Sequence, residues 1–450
     1  MPLRLDNHRT ALATSPRTAD DPTDFARLCC RLSRAESPFV QRVERFLGAR
    51  GANLAIEAGE YPLYDLPHIH QAVAEGFGDW KLVAEGGPPV PCVRTLWAPV
   101  TTRFEVARGR FEVFMTDGSQ FYQLPDGSRR VLAFAPFEHG DEPCTRFLMI
   151  GRRRNRDALA ADCERLRVRL KGAHYLQGQV LTAEGRILPD FQPRSWDDVA
   201  LSPEVRETIL RNTVEVLRRR EAFQRNGVPL KRGLILHGPP GTGKTLVGKA
   251  LAGMNLGTFI YVTASDASQM GTFRGVFSLA RRLRPTIVFL EDMDLFAEER
   301  NGFGSQTLLG EMLAQLDGLV ENDGLIFIAT TNDLTAIDPA LRERPSRFDV
   351  VLKIGLPALA ARRTIVEKNL PAGAVDAMLL DLIAERTDGL SGAHVREVAY
   401  LALQRALLRD ACHADGQVKP EAEDFAFAVE QLGGARRTIL GFQPGRANAN

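Results

Sequence analysis

Eight consecutive residues, Gly238 to Thr245, have the composition of a loop that binds phosphate. They read GPPGTGKT and match the pattern GxxxxGK(S/T). Glycines let successive backbone N–H groups face one anion, and the start of the helix that follows adds partial positive charge. We predict that Lys244 supplies a catalytic cation to the outer phosphates and that the Thr245 hydroxyl is a ligand of Mg²⁺. The predicted nucleotide contacts in this segment are Gly238, Pro239, Pro240, Gly241, Thr242, Gly243, Lys244, Thr245 and Leu246.

Two adjacent carboxylates, Glu291 and Asp292, follow an apolar run, TIVFL, that starts at Thr286. Open α/β sheets place their ligands at the carboxyl ends of parallel strands. Hydrolysis of a nucleotide needs one carboxylate that holds hydrated Mg²⁺ and a second that orients or deprotonates the attacking water. We assign the first role to Glu291 and the second to Asp292. The alternative is an acidic strand end that faces solvent.

An uncharged amide, Asn332, follows the next apolar run, Leu325 to Thr330. If it lies at the same edge of the sheet, this amide can position the attacking water or sense the γ-phosphate. Taken alone, Asn332 before Asp333 is also typical of a turn.

Three arginines, Arg342, Arg344 and Arg347, lie in the downstream segment DPALRERPSRFD. Arginine can neutralise the charge that develops on transferring phosphoryl oxygens, an effect of about 10³ to 10⁵ in rate in related reactions. We predict that Arg344 or Arg347 does so in trans, at the site of a neighbouring molecule. The alternative is that these arginines form surface salt bridges.

Beyond Trp196, short apolar runs alternate with amphipathic segments, which predicts strands that alternate with helices in a parallel sheet. After Pro357 the pattern is helical almost throughout. The fold class that follows is α/β: a phosphate-loop (P-loop) parallel sheet with helices on both faces and a C-terminal helical lid. The predicted strands are Leu234–His237, Phe259–Thr263, Ile287–Leu290, Leu325–Thr330 and Val350–Ile354.

The region before residue 190 has a different pattern, typical of an α+β domain. Apolar residues from Phe25 to Leu47 recur at helical spacing and predict a pair of helices. Alternate apolar residues between Phe104 and Phe134, with Asp-Gly pairs between them, predict β-hairpins. We also predict a helix over Ala158–Leu170 and a small hairpin over Tyr175–Leu188. The predicted domains are a flexible leader (1–23), an α+β N-terminal domain (24–190), an α/β large domain (191–357), a helical lid (358–435) and a flexible tail (436–450).

The composition is that of a folded protein with two or three domains. Of 450 residues, 44% are hydrophobic and 25% are charged, and 57 Lys and Arg balance 56 Asp and Glu to a formal net charge of +1. This balance disfavours a protein whose whole surface binds polyanions. No apolar run reaches the roughly 18 to 20 residues of a membrane-spanning helix, and the first residues lack the apolar segment of a secretory signal. We therefore expect a cytoplasmic protein without a membrane anchor. The six scattered cysteines predict neither a zinc site nor disulfides.

In their order, the motifs GPPGTGKT, FLEDMD, IATTND and DPALRERPSRFD resemble those of the AAA ATPases. The resemblance is to the branch that includes membrane-anchored AAA proteases and proteasomal ATPases. Ser195–Ala200 is similar to the lead-in segment that packs near the adenine in that branch, and Gly389–His394 resembles its lid motif. What the resemblance implies is ATP and Mg²⁺ as ligands, and a ring, usually a hexamer, with ATP between subunits.

The same resemblance implies roles for single residues. Asn332 is then the first sensor, and Gly392 and Ala393 are the contact that the lid makes with the nucleotide. Arg344 and Arg347 reach the phosphates that a neighbouring subunit holds. Because the arginine segment has one residue more than the common spacing, the choice between these two arginines stays open.

Two features depart from the pattern of the family. The family usually has Asp-Glu where this chain has Glu291-Asp292. The order Glu-Asp is similar to that of relatives that resemble the mitochondrial AAA chaperone, which moves a folded iron–sulfur protein. The shorter Asp292 side chain predicts slow hydrolysis. The segment SDASQMGTFR also lacks the aromatic-hydrophobic-Gly triplet of threading unfoldases, and Met270 or Phe273 is the candidate substitute. We therefore expect one-step remodelling rather than processive threading.

The function that these features predict is that of a ring-forming ATPase that hydrolyses ATP to remodel or disassemble a protein substrate. The N-terminal domain, 24–190, is expected to recruit that substrate. One alternative is a nucleic-acid-handling ATPase, which the neutral net charge and the lack of a recognisable nucleic-acid module disfavour. The other is a slow nucleotide switch, which the order Glu291-Asp292 favours.

Overall fold

The computed structural model describes residues 38–87, 98–139, 142–263, 273–295, 312, 315–316, 323–337, 348–409 and 418–439. These residues fall into two compact units. Unit 1 comprises the described residues up to Gln177 together with Glu184–Pro189. Unit 2 comprises Gly178–Ala183 and the described residues from Asp190 onward.

Unit 1 is an antiparallel sheet with helices packed on it. Its strands are β1 (Leu54–Pro62), β2 (Lys81–Gly86), β3 (Val100–Ala107), β4 (Arg110–Gln123), β5 (Arg129–His139) and β6 (Glu142–Arg152). Its helices are α1 (Pro38–Leu47), α2 (Leu66–Gly76) and α3 (Arg156–Leu170). The strand order is β1-β6-β5-β4-β2, and β3 also pairs with β4. The hairpin that turns at Asp126-Gly127 and the helix predicted over Ala158–Leu170 are confirmed. A turn at the other Asp-Gly pair was wrong, because Asp117 and Gly118 lie inside β4, where they pair with Val100 of β3 and Phe134 of β5. The first predicted helix, which starts near Phe25, lies outside the described residues.

Alternation along β5 explains how this sheet is covered on both faces. Val131 and Ala133 pack with Val43 of α1 on one face. Leu132 and Phe134 point to the other face and pack in the cluster that α2 and α3 complete. Successive residues of a strand face opposite sides, so a strand with two apolar faces needs helices on both.

Unit 2 is built on a parallel sheet. Its strands are β7 (Val180–Thr182), β8 (Arg232–His237), β9 (Thr258–Val262), β10 (Thr286–Leu290), β11 (Leu325–Thr331) and β12 (Val350–Lys353), in the order β12-β8-β11-β10-β9-β7. The five strands predicted beyond Trp196 are confirmed. Every residue of β10 and β11 is buried, which is why their sequences are continuous apolar runs.

Helices flank both faces of this sheet. They are α4 (Pro203–Asn212), α5 (Val214–Arg218), α6 (Arg220–Arg225), α7 (Lys244–Gly253) and α8 (Arg274–Arg282). Ile328 of β11 belongs to the core cluster that contains Val247 of α7. The neighbouring Phe327 faces the other way and stacks on Phe277 of α8, with ring centroids 4.7 Å apart. The α/β fold class predicted from the sequence is therefore confirmed.

The C-terminal part of unit 2 is helical, as predicted. Its helices are α9 (Leu359–Lys368), α10 (Ala377–Arg386), α11 (Gly392–Leu408) and α12 (Ala422–Ile439). Val366, Ile383 and Val395 form part of their common core. Helix α12 ends at Ile439, beyond the end predicted for the lid at residue 435. No helix among the described residues is long and apolar enough to cross a lipid bilayer.

The prediction for residues 175–188 was wrong in one respect. Val180–Thr182, predicted as part of a small local hairpin, pairs in parallel with β9 at the edge of the second sheet, with Thr182 opposite Tyr261. The Phe259 N–H also donates to the Gln179 carbonyl, at 3.0 Å. A strand of three residues has little pattern of its own, and its pairing comes from an edge that is distant in sequence.

Candidate active site

The predicted phosphate loop connects β8 to α7. Gly238 has φ 153°, and a Cβ atom there would lie 2.1 Å from the Ile354 carbonyl oxygen. Gly241 and Gly243 have φ 75° and 102°, in the left-handed region. Only glycine fits these positions without strain or collision. The loop is therefore a backbone cradle at the N-terminus of α7, where a phosphate is favoured.

Lys244, the first residue of α7, connects this loop with the neighbouring strand end. Its ammonium donates to the carbonyls of Gly238 (2.7 Å) and Pro239 (3.0 Å) and to Oδ1 of Asn332 (2.9 Å). Three acceptors match the three N–H groups of the ammonium. Burial lowers the pKa of Lys244, and the charges of Asp292 and Asp294 oppose that shift. A cation therefore lies against the cradle, close to the end of β11.

Glu291, at the end of β10, is held by hydroxyl groups on both of its oxygens. Thr245 donates to Oε1, and Tyr261 of β9 donates to Oε2. The Glu291 N–H in turn donates to the Val262 carbonyl, at 2.9 Å. The two residues predicted to hold a metal, Thr245 and Glu291, are therefore in direct contact.

Asp292 has an unusual backbone for a non-glycine residue, with φ 51°. The Asp292 N–H donates to Thr330 Oγ1 (3.0 Å), and the N–H of Met293 donates to the Thr330 carbonyl (2.7 Å). Burial raises the pKa of the Asp292 carboxyl, and the negative charges of Glu291 and Asp294 raise it further. A carboxyl with a raised pKa is a better proton acceptor once it is ionised.

Asn332 joins the acidic residues to Lys244. Its amide nitrogen lies 3.3 Å from Asp294 Oδ2 and 3.5 Å from Asp292 Oδ1. Its amide oxygen accepts from Lys244, as described above, so the side chain has a fixed orientation. Asn332 is therefore not simply a turn residue, although Asp333 beside it does accept from the Thr335 N–H in a local turn.

The start of α11 lies on the phosphate loop. The Ala393 N–H donates to the Gly241 carbonyl at 2.9 Å, and a Cβ atom on Gly241 would lie 2.8 Å from the Ala393 Cβ. Ser391 caps α11 through the His394 N–H. Asp198 of the lead-in segment pairs with Lys368 of α9 at 3.0 Å. The predicted lid residues Gly392 and Ala393 are thus beside the loop, and the lead-in segment contacts the lid.

The side chains present fit a nucleotide with its magnesium ion. The glycine cradle leaves no room for a Cβ at Gly238, and the Lys244 ammonium supplies a compensating charge for phosphates. Hydroxyl and carboxylate oxygens, as in Thr245 and Glu291, are the ligands that Mg²⁺ prefers, directly or through water.

Several predicted residues lie elsewhere or outside the description. Arg344 and Arg347 are outside the described residues, as is Met270. Phe273 is described, but its side chain is only 3% exposed, so in this conformation it is a core residue rather than a surface contact for substrate. Leu246 packs against the core of unit 2.

Sequence reasoning missed Tyr261 and Thr330. Both lie on predicted strands, and nothing in their spacing distinguishes them from ordinary strand residues. Both residues lie near the carboxyl end of a predicted strand, at the edge of the sheet where the polar motifs lie. That position is the sequence signal that could have pointed to them.

Comparison with known proteins agrees with this geometry. The family described as "ATPase family associated with various cellular activities (AAA)" matches residues 234–356. The proteasome-activating nucleotidase of Saccharolobus solfataricus is 34% identical over 250 residues, which is 52% of this chain and 60% of the relative. The protein of the same name from Sulfurisphaera tokodaii is 37% identical over 213 residues, 43% of this chain and 54% of the relative.

The ATP-dependent zinc metalloprotease FtsH of Buchnera aphidicola is 33% identical over 277 residues, 57% of this chain and 44% of the relative. The chain therefore spans about half the length of these curated relatives.

Proposed function

We propose that this chain uses ATP hydrolysis to remodel or disassemble a protein substrate. Residues 234–356 are an AAA ATPase domain, and this domain makes the chain an ATPase. One observation carries the proposal. Groups from three places, the start of α7 and the ends of β10 and β11, meet at one site, because Lys244 binds Asn332, Asn332 approaches Asp292, and Thr245 binds Glu291. This arrangement provides phosphate binding, a metal site and a base at one edge of a parallel sheet.

Each residue has a chemical task in this proposal. Lys244 and the loop N–H groups hold the β- and γ-phosphates, and Asn332 orients the attacking water. Asp292 accepts the proton of that water. When bound, Mg²⁺ supplies positive charge to the phosphate oxygens, and Thr245 and Glu291 are the residues that hold it.

The first experiment is the ATPase rate measured against protein concentration, with light scattering in the presence and absence of ATP. We propose that the active form is a ring, with six subunits as the expected number. Specific activity should then rise with concentration as the scattering mass increases. A monomer with the same specific activity at every concentration would refute an active site that a neighbouring subunit completes.

The raised pKa of Asp292 predicts the pH dependence of hydrolysis. The carboxylate must be ionised to accept a proton, so kcat/KM, which reports the ionisation of the free enzyme, should fall as the pH falls through the Asp292 pKa. Because that pKa is raised, the fall should begin above the range of an ordinary aspartate, which is about 4. The measurement is kcat/KM for ATP from about pH 4 to 9 at saturating Mg²⁺, with circular dichroism at each pH to exclude unfolding. A kcat/KM that stays constant down to the pKa range of an ordinary aspartate contradicts the role of Asp292.

The predicted trans arginine gives a test by mixing. Arg347→Ala should leave ATP binding unchanged and lower turnover by about 10³-fold or more. If Arg347 acts in trans, mixing Arg347→Ala with the inactive Asp292→Asn protein should restore activity, because some interfaces then combine an intact base with an intact arginine. Arg342→Ala is the matched control from the same segment. Normal turnover of Arg347→Ala would transfer the role to Arg344.

Two things support a protein as the substrate. The relatives at 34% and 37% identity are named for activating a proteasome. Unit 1, which contains most of the predicted recruitment domain at 24–190, is a separate folded unit. We also propose a cytoplasmic location. A stimulation of turnover by DNA or RNA that is lost at high salt would instead favour a nucleic-acid substrate.

A slow nucleotide switch is the second candidate function. It is favoured by Asp292, whose side chain is shorter than the glutamate usual at this position of the family. Tight ATP binding with turnover too slow to measure, in the wild-type chain at high concentration, would support the switch.

A further inference from the structure

The hydrogen bonds of Glu291 point to a residue that none of the motifs contains. The Thr245 hydroxyl of α7 donates a hydrogen bond to one oxygen of the carboxylate, and the Tyr261 hydroxyl of β9 donates to the other. We propose that Tyr261 is a positioning residue for the metal site: its phenol holds Glu291 so that Thr245 presents its lone pairs to Mg²⁺. This inference rests on the proposed ATPase function.

The direction of both hydrogen bonds follows from the chemistry of the groups. An ionised carboxylate can only accept, so each hydroxyl must donate its single hydrogen to Glu291. The Thr245 hydrogen is then directed at Glu291, and its lone pairs point elsewhere. A hydroxyl oriented in this way can act as a ligand of a cation without first breaking its hydrogen bond.

The register of the sheet explains why Tyr261 reaches Glu291. Tyr261 pairs with Phe289 of β10 in the parallel register, so their side chains lie on the same face. The two rings stack, with centroids 5.8 Å apart and an angle of 17°. Glu291 follows Phe289 by two positions, and alternation directs it toward that face as well. The phenol hydroxyl therefore extends along the sheet toward the end of β10.

The phenol ring is held from a second side. Phe191, from the segment before α4, contacts it edge-on, with centroids 6.3 Å apart and an angle of 61°. On the other edge of β9, Thr182 of β7 pairs with Tyr261. Because ring and backbone are both packed, the position of the hydroxyl is fixed before any ligand arrives.

The length of the Glu291 side chain explains why the hydrogen bond from Tyr261 matters for the metal site. Glutamate has one more rotatable bond than the aspartate usual at this position, so its carboxylate loses more conformational freedom when it is fixed. The Tyr261 bond restricts that freedom in the free protein. Without it, Glu291 has more orientations, and fewer of them align Thr245 for the metal.

The test compares nucleotide binding at different metal concentrations. For the wild type and Tyr261→Phe, the affinity for a fluorescent ATP analogue is measured in EDTA and across a Mg²⁺ titration, together with the ATPase rate. Phenylalanine keeps the ring packing and removes only the hydroxyl. We expect the Mg²⁺ concentration for the half-maximal effect to rise about tenfold, the size expected for the loss of one hydrogen bond to a charged group. Affinity in EDTA should not change.

The matched control is Tyr175→Phe. The Tyr175 hydroxyl also makes one hydrogen bond, to the Tyr64 carbonyl at 2.9 Å, but it lies in unit 1. This variant should have the Mg²⁺ dependence of the wild type.

A double-mutant cycle separates positioning from a general structural effect. If Tyr261 acts through Glu291, Tyr261→Phe should change nothing further in a Glu291→Ala background. A lower melting temperature with an unchanged Mg²⁺ titration, or equal effects in both backgrounds, would overturn the inference. If the wild type shows no Mg²⁺-dependent binding at all, the proposed ATPase function fails, and the inference fails with it. Normal wild-type behaviour with an unaffected Tyr261→Phe overturns the inference alone.

Discussion

Lys244→Ala should lose nucleotide binding, with an affinity at least about 30-fold weaker than that of the wild type. Removing one partner of a buried, hydrogen-bonded charge pair costs about 2–5 kcal/mol, and each 1.4 kcal/mol is a factor of ten in affinity. Lys244 also holds the carbonyls of Gly238 and Pro239, so the substitution removes both the charge for the phosphates and a support of the loop. The measurement is a titration with a fluorescent ATP analogue at constant ionic strength.

Lys249→Ala is the matched control for this experiment. Lys249 lies on the same helix, α7, and its side chain has no hydrogen bond or ion pair to the phosphate loop among the described contacts. This variant should bind nucleotide as the wild type does. Normal binding by Lys244→Ala would remove the assignment of the loop as a phosphate site.

Asp292→Asn should bind ATP normally and hydrolyse it about 10² to 10⁴ times more slowly, the usual contribution of a general base. The amide keeps the shape of the carboxyl and the backbone at φ 51°, because asparagine also tolerates this region. It cannot accept the proton of the attacking water. The measurements are single-turnover release of phosphate and, by light scattering, the persistence of the ATP-bound assembly.

Asp333→Asn is the control for Asp292→Asn. Asp333 follows the same strand end, but its carboxylate accepts from the Thr335 N–H and hydroxyl, and asparagine replaces aspartate well in such a cap. This variant should hydrolyse ATP at the wild-type rate. A normal rate in Asp292→Asn would show that another group activates the water.

The parallel sheet was predictable because burial on both faces leaves a clear trace in the sequence. Strands β10 and β11 are entirely buried, so each is an uninterrupted apolar run bounded by polar residues. The phosphate loop was predictable for a different reason. Its glycines are required by the local backbone, because a Cβ atom at Gly238, for example, would collide with Ile354.

Contacts that depend on pairing between distant segments were not predictable. The role of Tyr261 follows from the register between β9 and β10, which no local pattern specifies. In unit 1, Arg130 is only 1% exposed and forms an ion pair with Asp162 at 3.0 Å. Arginine is rarely buried unless it is paired, and the sequence does not reveal which acid would be its partner.

The position of β7 limits how the chain can be divided. Gly178–Ala183 belongs to unit 2, whereas Glu184–Pro189, which follows it, belongs to unit 1. A fragment that starts at residue 191 would therefore lack β7 and would expose the N–H and C=O groups of β9, an open edge that other chains can pair with. A fragment that starts at residue 178 would keep the edge covered but take Glu184–Pro189 away from unit 1. No single break in the backbone therefore leaves all the residues of both units on their own side of the cut.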